Sequence, residues 1–311
     1  MRKASCLLCA SGTELIFSGL RDNRLGAPGT YEIRRCIECG FEQTSPLPTT
    51  SELKDLYEVH YNFGGEKNTA YTRFREWFLA SALYRVWLLL DGDNAFVTRR
   101  GAGRLLDVGC NEGQGLAAYR RNGFAAEGLD LNHIAVRSAR GRGYTVHELP
   151  LENFRPAESY DVVVLSNVLE HTLDPRRMLF DAARLLKFGG EVWISCPNSR
   201  SWMRRLFGRS WINWHVPFHI SHFSSENMRQ LLIEAGFTRI KIAQRTPAAW
   251  VASSIIVRQF ARQGRATRQL RNPVLLASLM LLVRALFFPI LLLANRIGNG
   301  DCLIAVARKA G

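Results

Sequence analysis

Residues 104–116 read Arg104-Leu-Leu-Asp-Val-Gly-Cys-Asn-Glu-Gly-Gln-Gly-Leu116, and the fold turns on them. Leu105, Leu106 and Val108 form an apolar run of strand character that stops at Gly109. Gly109, Gly113 and Gly115 then make a turn, and Leu116 to Tyr119 begin a helical pattern. A strand that ends in a glycine turn and feeds a helix lets backbone N–H groups come close to a ligand. Asp107 sets a carboxylate at the tip of that strand, where an open α/β sheet binds its ligands. About twenty residues on, Ala125 to Leu129 reads as a second strand ending at Asp130, an acid suited to both hydroxyls of a ribose. The glycine spacing is not the Gly-x-Gly-x-x-Gly of nicotinamide-dinucleotide sites, which argues against that class.

Working toward the C-terminus, a helix is expected over 132–142 and a short strand from Tyr144 to Glu148. Tyr160 to Ser166 has a continuous β-branched and apolar core, Val162 to Leu165, as a parallel strand covered on both faces requires. Asp174-Pro175 opens a helix to Leu186, Lys187 to Gly190 stops it, and Glu191 to Cys196 is a fifth strand. Ser224 caps a helix through Leu231 and Leu232. Ile240 to Ala243 and Asp301 to Arg308 complete the set as sixth and seventh strands.

With those landmarks in place, residues 104–198 resemble the class I S-adenosylmethionine-dependent methyltransferases. Their first motif, Asp/Glu-x-Gly-x-Gly-x-Gly, is met by Asp107, Gly109, Asn111 and Gly113. Asn111 replaces the middle glycine, and Asn tolerates left-handed backbone better than most residues. The order of strand, Leu169-Glu170-His171 turn, helix, Gly189-Gly190 and strand is similar to that of ubiquinone-type O-methyltransferases and their relatives. The resemblance implies an α/β fold with a seven-stranded Rossmann-like sheet and S-adenosylmethionine as cofactor. It implies that Asp107 orders the turn and the methionine amine, with Gly109 and Gly113 admitting the backbone. Asp130 and Leu131 would take the ribose, Leu151 and Glu152 the adenine, and Asn167 the methionine end.

His171 has two readings: a base for an acceptor hydroxyl, since an imidazole titrates near neutrality, or a residue that only holds its loop. Pro217-Phe-His219-Ile-Ser-His222-Phe-Ser224 resembles a Pro-x-His-x-x-x-Phe-Ser pattern of one branch of these enzymes, which makes His219 or His222 an alternative base. Pro217 argues against a helix carrying His215, His219 and His222, and so against a second metal site there.

Upstream, Cys6-x-x-Cys9 and Cys36-x-x-Cys39 form two knuckles expected to hold a structural zinc ion in a ribbon over residues 1–45. Four thiolates leave no open coordination position for chemistry. Cys110, Cys196 and Cys302 stand alone, and an odd total of seven argues for a reducing, cytoplasmic setting. No signal-peptide pattern is read after Met1. Pro46 and Pro48 mark a boundary, and Ser51 is the expected N-cap of the next helix. Residues 46–100 are expected to be a helical lid or linker, rich in aromatics from Tyr57 to Trp87, before a methyltransferase domain of residues 101–246 and 301–311.

The charge is uneven. Residues 1–198 hold 24 basic and 24 acidic side chains, whereas 199–311 hold 17 and 3 and so carry the whole net charge of +14. That third should meet an anionic surface. The insertion at 247–300 carries two apolar runs, Val274 to Val283 and Ala285 to Ala294, after Arg258, Arg262, Arg265, Arg268 and Arg271. Strands six and seven must share a sheet, which argues against a single membrane crossing. A hairpin or interfacial element dipping into one leaflet of an anionic inner membrane face, or a cover buried on the domain, is expected. A basic-aromatic cluster from Trp202 to Trp214 is expected at the same interface. A solvated helix with a homodimer face is the plainer reading.

The expected activity is O-methylation of a small-molecule, saccharide or lipid-linked acceptor. The alternatives are an RNA methyltransferase using the zinc ribbon and gripping phosphates with the basic third, and a non-catalytic scaffold on the cofactor fold. Against amino-methylation of bases, Ser166-Asn167-Val168-Leu169 stands where an Asn/Asp-Pro-Pro-Tyr/Phe motif would be.

Overall fold

The computed structural model describes residues 5–60, 77, 81–261, 267 and 273–311. Tyr61, Phe63, Tyr71, Phe74 and Phe78 of the aromatic region, and Arg262, Arg265, Arg268 and Arg271 of the insertion, lie outside the described residues.

Two sheets organise the chain. In the first, β1 (Thr13–Leu20), β2 (Tyr31–Cys36) and β3 (Glu42–Ser45) are antiparallel neighbours, and the short β9 (Ser221–His222) pairs with β3 at its edge. The second has seven strands in the order β10-β11-β8-β7-β4-β5-β6. Its strands are β4 (Arg104–Val108), β5 (Ala125–Leu129), β6 (Val146–His147), β7 (Tyr160–Ser166), β8 (Leu186–Pro197), β10 (Phe237–Arg245) and β11 (Cys302–Lys309). β11 runs antiparallel to both β8 and β10, and the remaining neighbours are parallel.

Alternation along the central strands explains the layers. Leu106, Val163, Leu165, Val192 and Ile194 face one core, while Leu105, Val162, Val164 and Trp193 face the other. Successive strand residues point to opposite faces, so an unbroken apolar run suits a sheet clad on both sides. The cladding comes from helices named here in chain order. Helix α1 is Thr50–His60 and α2 is Ala82–Asp91. The pair α3 (Gln114–Arg121) and α4 (His133–Gly141) covers one face through Leu116, Tyr119, Val136 and Ala139. The pair α5 (Pro175–Leu185) and α7 (Ser225–Glu234) covers the other through Leu179, Ala182, Met228 and Leu231. Each fully buried Val, Leu or Met side chain among them contributes about 1.5–3 kcal/mol.

Several boundaries differ from expectation. The cap of α1 is Thr49, not Ser51: its Oγ1 accepts from Glu52 N (3.2 Å) while the Glu52 carboxylate accepts from Thr49 N (2.8 Å), a reciprocal capping box. Lys187 to Gly190, read as a helix stop, are already strand, because β8 begins at Leu186. β10 is longer than read, and β6 is only two residues.

The insertion is a helical hairpin, α8 (Ala248–Phe260) and α9 (Pro273–Arg296), that packs together and returns the chain to β11. Pro289 does not break α9. Arg284, in the middle of α9, is buried against Asp91 at the end of α2 (2.5 Å). The basic-aromatic cluster is corrected more strongly. Trp211, Trp214 and Arg204 are core, not interface. Trp211 Nε1 donates to the buried Asp301 carboxylate (2.8 Å), and Arg204, on the short helix α6 (Trp202–Phe207), pairs with the buried Glu42 (2.7 Å).

Candidate functional site

β4 hydrogen-bonds to β5 on one side and β7 on the other, so the chain reverses its winding at β4. The carboxyl ends of strands at such a reversal leave a crevice. Asp107, next to last in β4, pairs in register with Gly128 of β5 and Val164 of β7. Its carboxyl is buried, and no hydrogen bond from a described residue holds it. Burial first, and the neighbouring Asp130 second, push it up to about 8. An incoming cation beside it would favour the ionised carboxylate.

The turn beyond is drawn tightly onto β5. Gly109 N donates to Leu129 O (2.7 Å), and Asn111 N donates to Asp130 Oδ2 (2.8 Å). Asp130 Oδ1 accepts from Asn132 N (2.8 Å), the residue that caps α4. Burial raises Asp130, and these backbone N–H groups oppose the rise. Gly109 lies at φ +71°, and a Cβ there would meet Val168 Cγ2 at 2.6 Å, so only glycine fits. Asn111 takes the left-handed φ of +49° without a glycine. Gly113 caps α3 in the same region of backbone space.

The remaining candidates for the cofactor are distributed around this crevice. Leu131 is exposed beside Asp130. Leu151 is buried in the core with Leu129, in a single 3-10 turn, so its backbone is what it can offer, while the Glu152 side chain is exposed. Asn167 follows β7 at φ +54°, its N–H donating to Ser195 O (2.8 Å).

Just past Asn167, the turn Leu169–His171 meets the loop that carries the Pro-x-His pattern. His171 Nδ1 lies 3.0 Å from the Phe218 carbonyl and 2.7 Å from the Tyr57 hydroxyl of α1. The carbonyl can only accept, so Nδ1 carries the hydrogen and Nε2 the lone pair. His219 repeats the arrangement, with Nδ1 donating to Asn213 O (2.8 Å). The two rings are 4.7 Å apart. Burial lowers His171 to about 4 and His219 well below the usual range, so both are neutral at pH 7.

Glu170 is buried, its Oε2 has no hydrogen-bond partner among the described residues, and burial pushes it up to about 8. One ligand atom from each of Glu170, His171 and His219 lies within 4.8 Å of the others. This set, and not His215 with His219 and His222, is what the chain offers a cation here, once Glu170 has lost its proton. His222 faces elsewhere, Nε2 lying 3.0 Å from Thr44 Oγ1. Tyr57 and Glu170 carry no local signal in the sequence that marks them as site residues.

The four N-terminal cysteines converge. Sγ–Sγ separations are 3.4 Å for Cys9–Cys36 and 3.7 Å for both Cys6–Cys39 and Cys9–Cys39. A tetrahedron with arms of ~2.3 Å has edges of about 3.8 Å, so the cluster fits a zinc tetrathiolate. Leu8 N donates to Cys6 Sγ and Cys39 N to Cys36 Sγ, both at 3.4 Å, as knuckles do around a metal. Ser11 contacts lower Cys9 to about 6.

A family of methyltransferase domains matches residues 71–242 of this chain. Ubiquinone biosynthesis O-methyltransferases of Salmonella newport and Salmonella typhi are each 30% identical to it over 136 residues, 39% of this chain. The chain spans 56% of the length of those relatives. Among solved structures, it is similar to a SAM-dependent methyltransferase from Thermotoga maritima (18% identity, TM-score 0.47, 77% of this chain and 96% of that one). It is also similar to 1,6-didemethyltoxoflavin-N1-methyltransferase of Burkholderia thailandensis (15% identity, TM-score 0.46, 88% and 98%).

Proposed function

Because the chain belongs to the methyltransferase domain family, we propose that it methylates the oxygen of a small-molecule, saccharide or lipid-linked acceptor, with S-adenosylmethionine as donor. One observation carries the reading: the Asp107 carboxyl is buried at the tip of β4, held by no hydrogen bond among the described residues and near enough to Asp130 to feel its charge. That arrangement fits a ligand with a cationic amine and a diol. When bound, S-adenosylmethionine supplies a methyl group already activated on sulfur.

The residues of the chain then have distinct tasks. Asp107 would hold the amine, Asp130 with Leu131 the ribose, and Gly109, Asn111 and Gly113 the close backbone. Leu151 and Glu152 would flank the base, and Asn167 the methionine end. His171 keeps its lone pair on Nε2 at neutral pH and can receive the acceptor's hydroxyl proton there. His219 is the alternative acceptor of that proton. Cys6, Cys9, Cys36 and Cys39 would hold a structural zinc ion with no open position for catalysis.

The membrane context rests on α9, which is long and apolar enough to cross a bilayer. It cannot be a single span, because β10 and β11 on either side of the hairpin pair in one sheet. The hairpin would instead lie along the surface of an anionic inner membrane.

Transfer of labelled methyl from S-adenosylmethionine to an extract of cytosolic and membrane metabolites tests the activity. His171→Gln should lower kcat roughly 10²–10⁴-fold, as loss of a positioned base does, with cofactor affinity unchanged. Full activity in that variant would remove His171 from the chemistry.

A further inference from the structure

The loop joining β1 to β2 is built to deliver one side chain. Asp22 is buried, and its carboxylate accepts from the backbone N–H groups of Arg24 (2.8 Å), Leu25 (3.0 Å) and Ala27 (2.9 Å). The carbonyl of Asn23 accepts from Thr267 of the insertion through both N (3.0 Å) and Oγ1 (2.8 Å). Arg24, clamped between these two ties, turns its guanidinium inward, and Nη1 donates to His215 Nδ1 (3.3 Å). The His215 ring is 4.9 Å from that of His219 and 6.4 Å from that of His171.

Arg24 forms no ion pair with a carboxylate among the described residues, although it is half-buried. Its nearest acid in sequence, Asp22, is occupied by backbone. The side chain its guanidinium does meet, His215, offers an imidazole and not a carboxylate. A guanidinium cannot shed its proton, so a half-buried one with no carboxylate paired to it among the described residues can take an anion brought from outside.

We propose that Arg24 recognises an oxyanion, a carboxylate or a phosphate, carried by the methyl acceptor beside the hydroxyl that faces His171. This rests on reading the His171 turn as the acceptor side of the crevice. It gives the four-cysteine sheet a part in substrate choice: the loop it supports closes over the histidines and reads the charge of what enters. Arg24 presents a planar fork that matches a carboxylate or phosphate edge, which a lysine would meet only as a point charge.

The test uses the full chain loaded with S-adenosylhomocysteine and three probes: 4-hydroxybenzoate, phenyl phosphate and the neutral 4-hydroxybenzamide. Affinities are read by ligand-observed NMR in the wild type, Arg24→Gln and Arg24→Lys. At least one anion should bind tenfold or more tighter than the amide in the wild type. That advantage should vanish in Arg24→Gln and persist in part in Arg24→Lys, and which anion leads distinguishes a carboxylate from a phosphate acceptor. Anions binding no tighter than the amide in the wild type, or an advantage that survives Arg24→Gln, would overturn the proposal. S-adenosylhomocysteine affinity, titrated in parallel, reports separately on the methyltransferase reading and should be the same in all three proteins.

Discussion

Asp107 is a carboxyl group that burial keeps in its acid form near neutrality, and its pH behaviour follows from that. In the free protein it titrates at about 8, so at pH 6 it is protonated. A cationic amine beside it favours the ionised form, so binding at pH 6–7 must expel a proton, and affinity for S-adenosylhomocysteine should rise as pH increases from 6 toward 8. Calorimetry in buffers of different ionisation enthalpy measures the released proton directly, and a pH-independent affinity with no proton release would contradict the assignment. Asp107, Gly109, Asn111, Gly113 and Asp130 were legible in the sequence because turn chemistry is local: glycine or asparagine at left-handed positions and an acid at each strand tip. Tyr57 and Arg24 were not, since they reach His171 and His215 across 114 and 191 residues of chain. No local pattern records such a contact.

At the scale of elements, the cysteine-bearing sheet is no separate finger. Its edge strand β3 pairs with β9, and Thr44 Oγ1 donates to the carbonyl of His219 (2.6 Å). Phe41 packs against Phe223 with the rings tilted and their centroids 5.6 Å apart, and the Ile220 N–H donates to Glu170 O (2.8 Å). The ribbon therefore buttresses the loop that carries His219. Structural zinc is worth on the order of 10 kcal/mol in small fingers. Cys36→Ser, or chelation, should cost the bound metal and also speed amide exchange across 219–222, measured by mass spectrometry. Metal loss with those amides still protected would uncouple the ribbon from the loop. Strand and helix types followed from periodicity, but this coupling did not, because β9 is two residues long and its pairing partner lies far upstream. The Trp202–Trp214 segment misled for a related reason. Its tryptophans and Arg204 find their partners, Asp301 and Glu42, only in the folded chain.

Across the whole molecule, the basic excess and the apolar hairpin fall in the same third of the chain. Leu282, Leu286, Ile290 and Leu293 line the outer face of α9, while Val283, Leu291 and Ala294 pack inward. Leu83, Val86 and Leu90 of α2 are also exposed, and α2 is tied to α9 through Asp91 and Arg284. Contiguous exposed apolar side chains are what a membrane or protein contact requires, and vesicle flotation tests the membrane reading. The protein should float with anionic phosphatidylglycerol vesicles, and Leu282→Asp with Leu286→Asp should reduce the bound fraction at least tenfold. Equal flotation of wild type and variant would take α9 out of the contact, and retention on RNA with a steep salt dependence would favour the nucleic-acid reading instead. All of this is secondary to whether the crevice between β4 and β5 holds the cofactor. Isothermal titration of S-adenosylmethionine into the wild type and Asp130→Ala decides it: the variant should bind at least tenfold more weakly, a loss of about 1.4 kcal/mol. Equal affinity in the two proteins, or no binding to the wild type, would contradict the account.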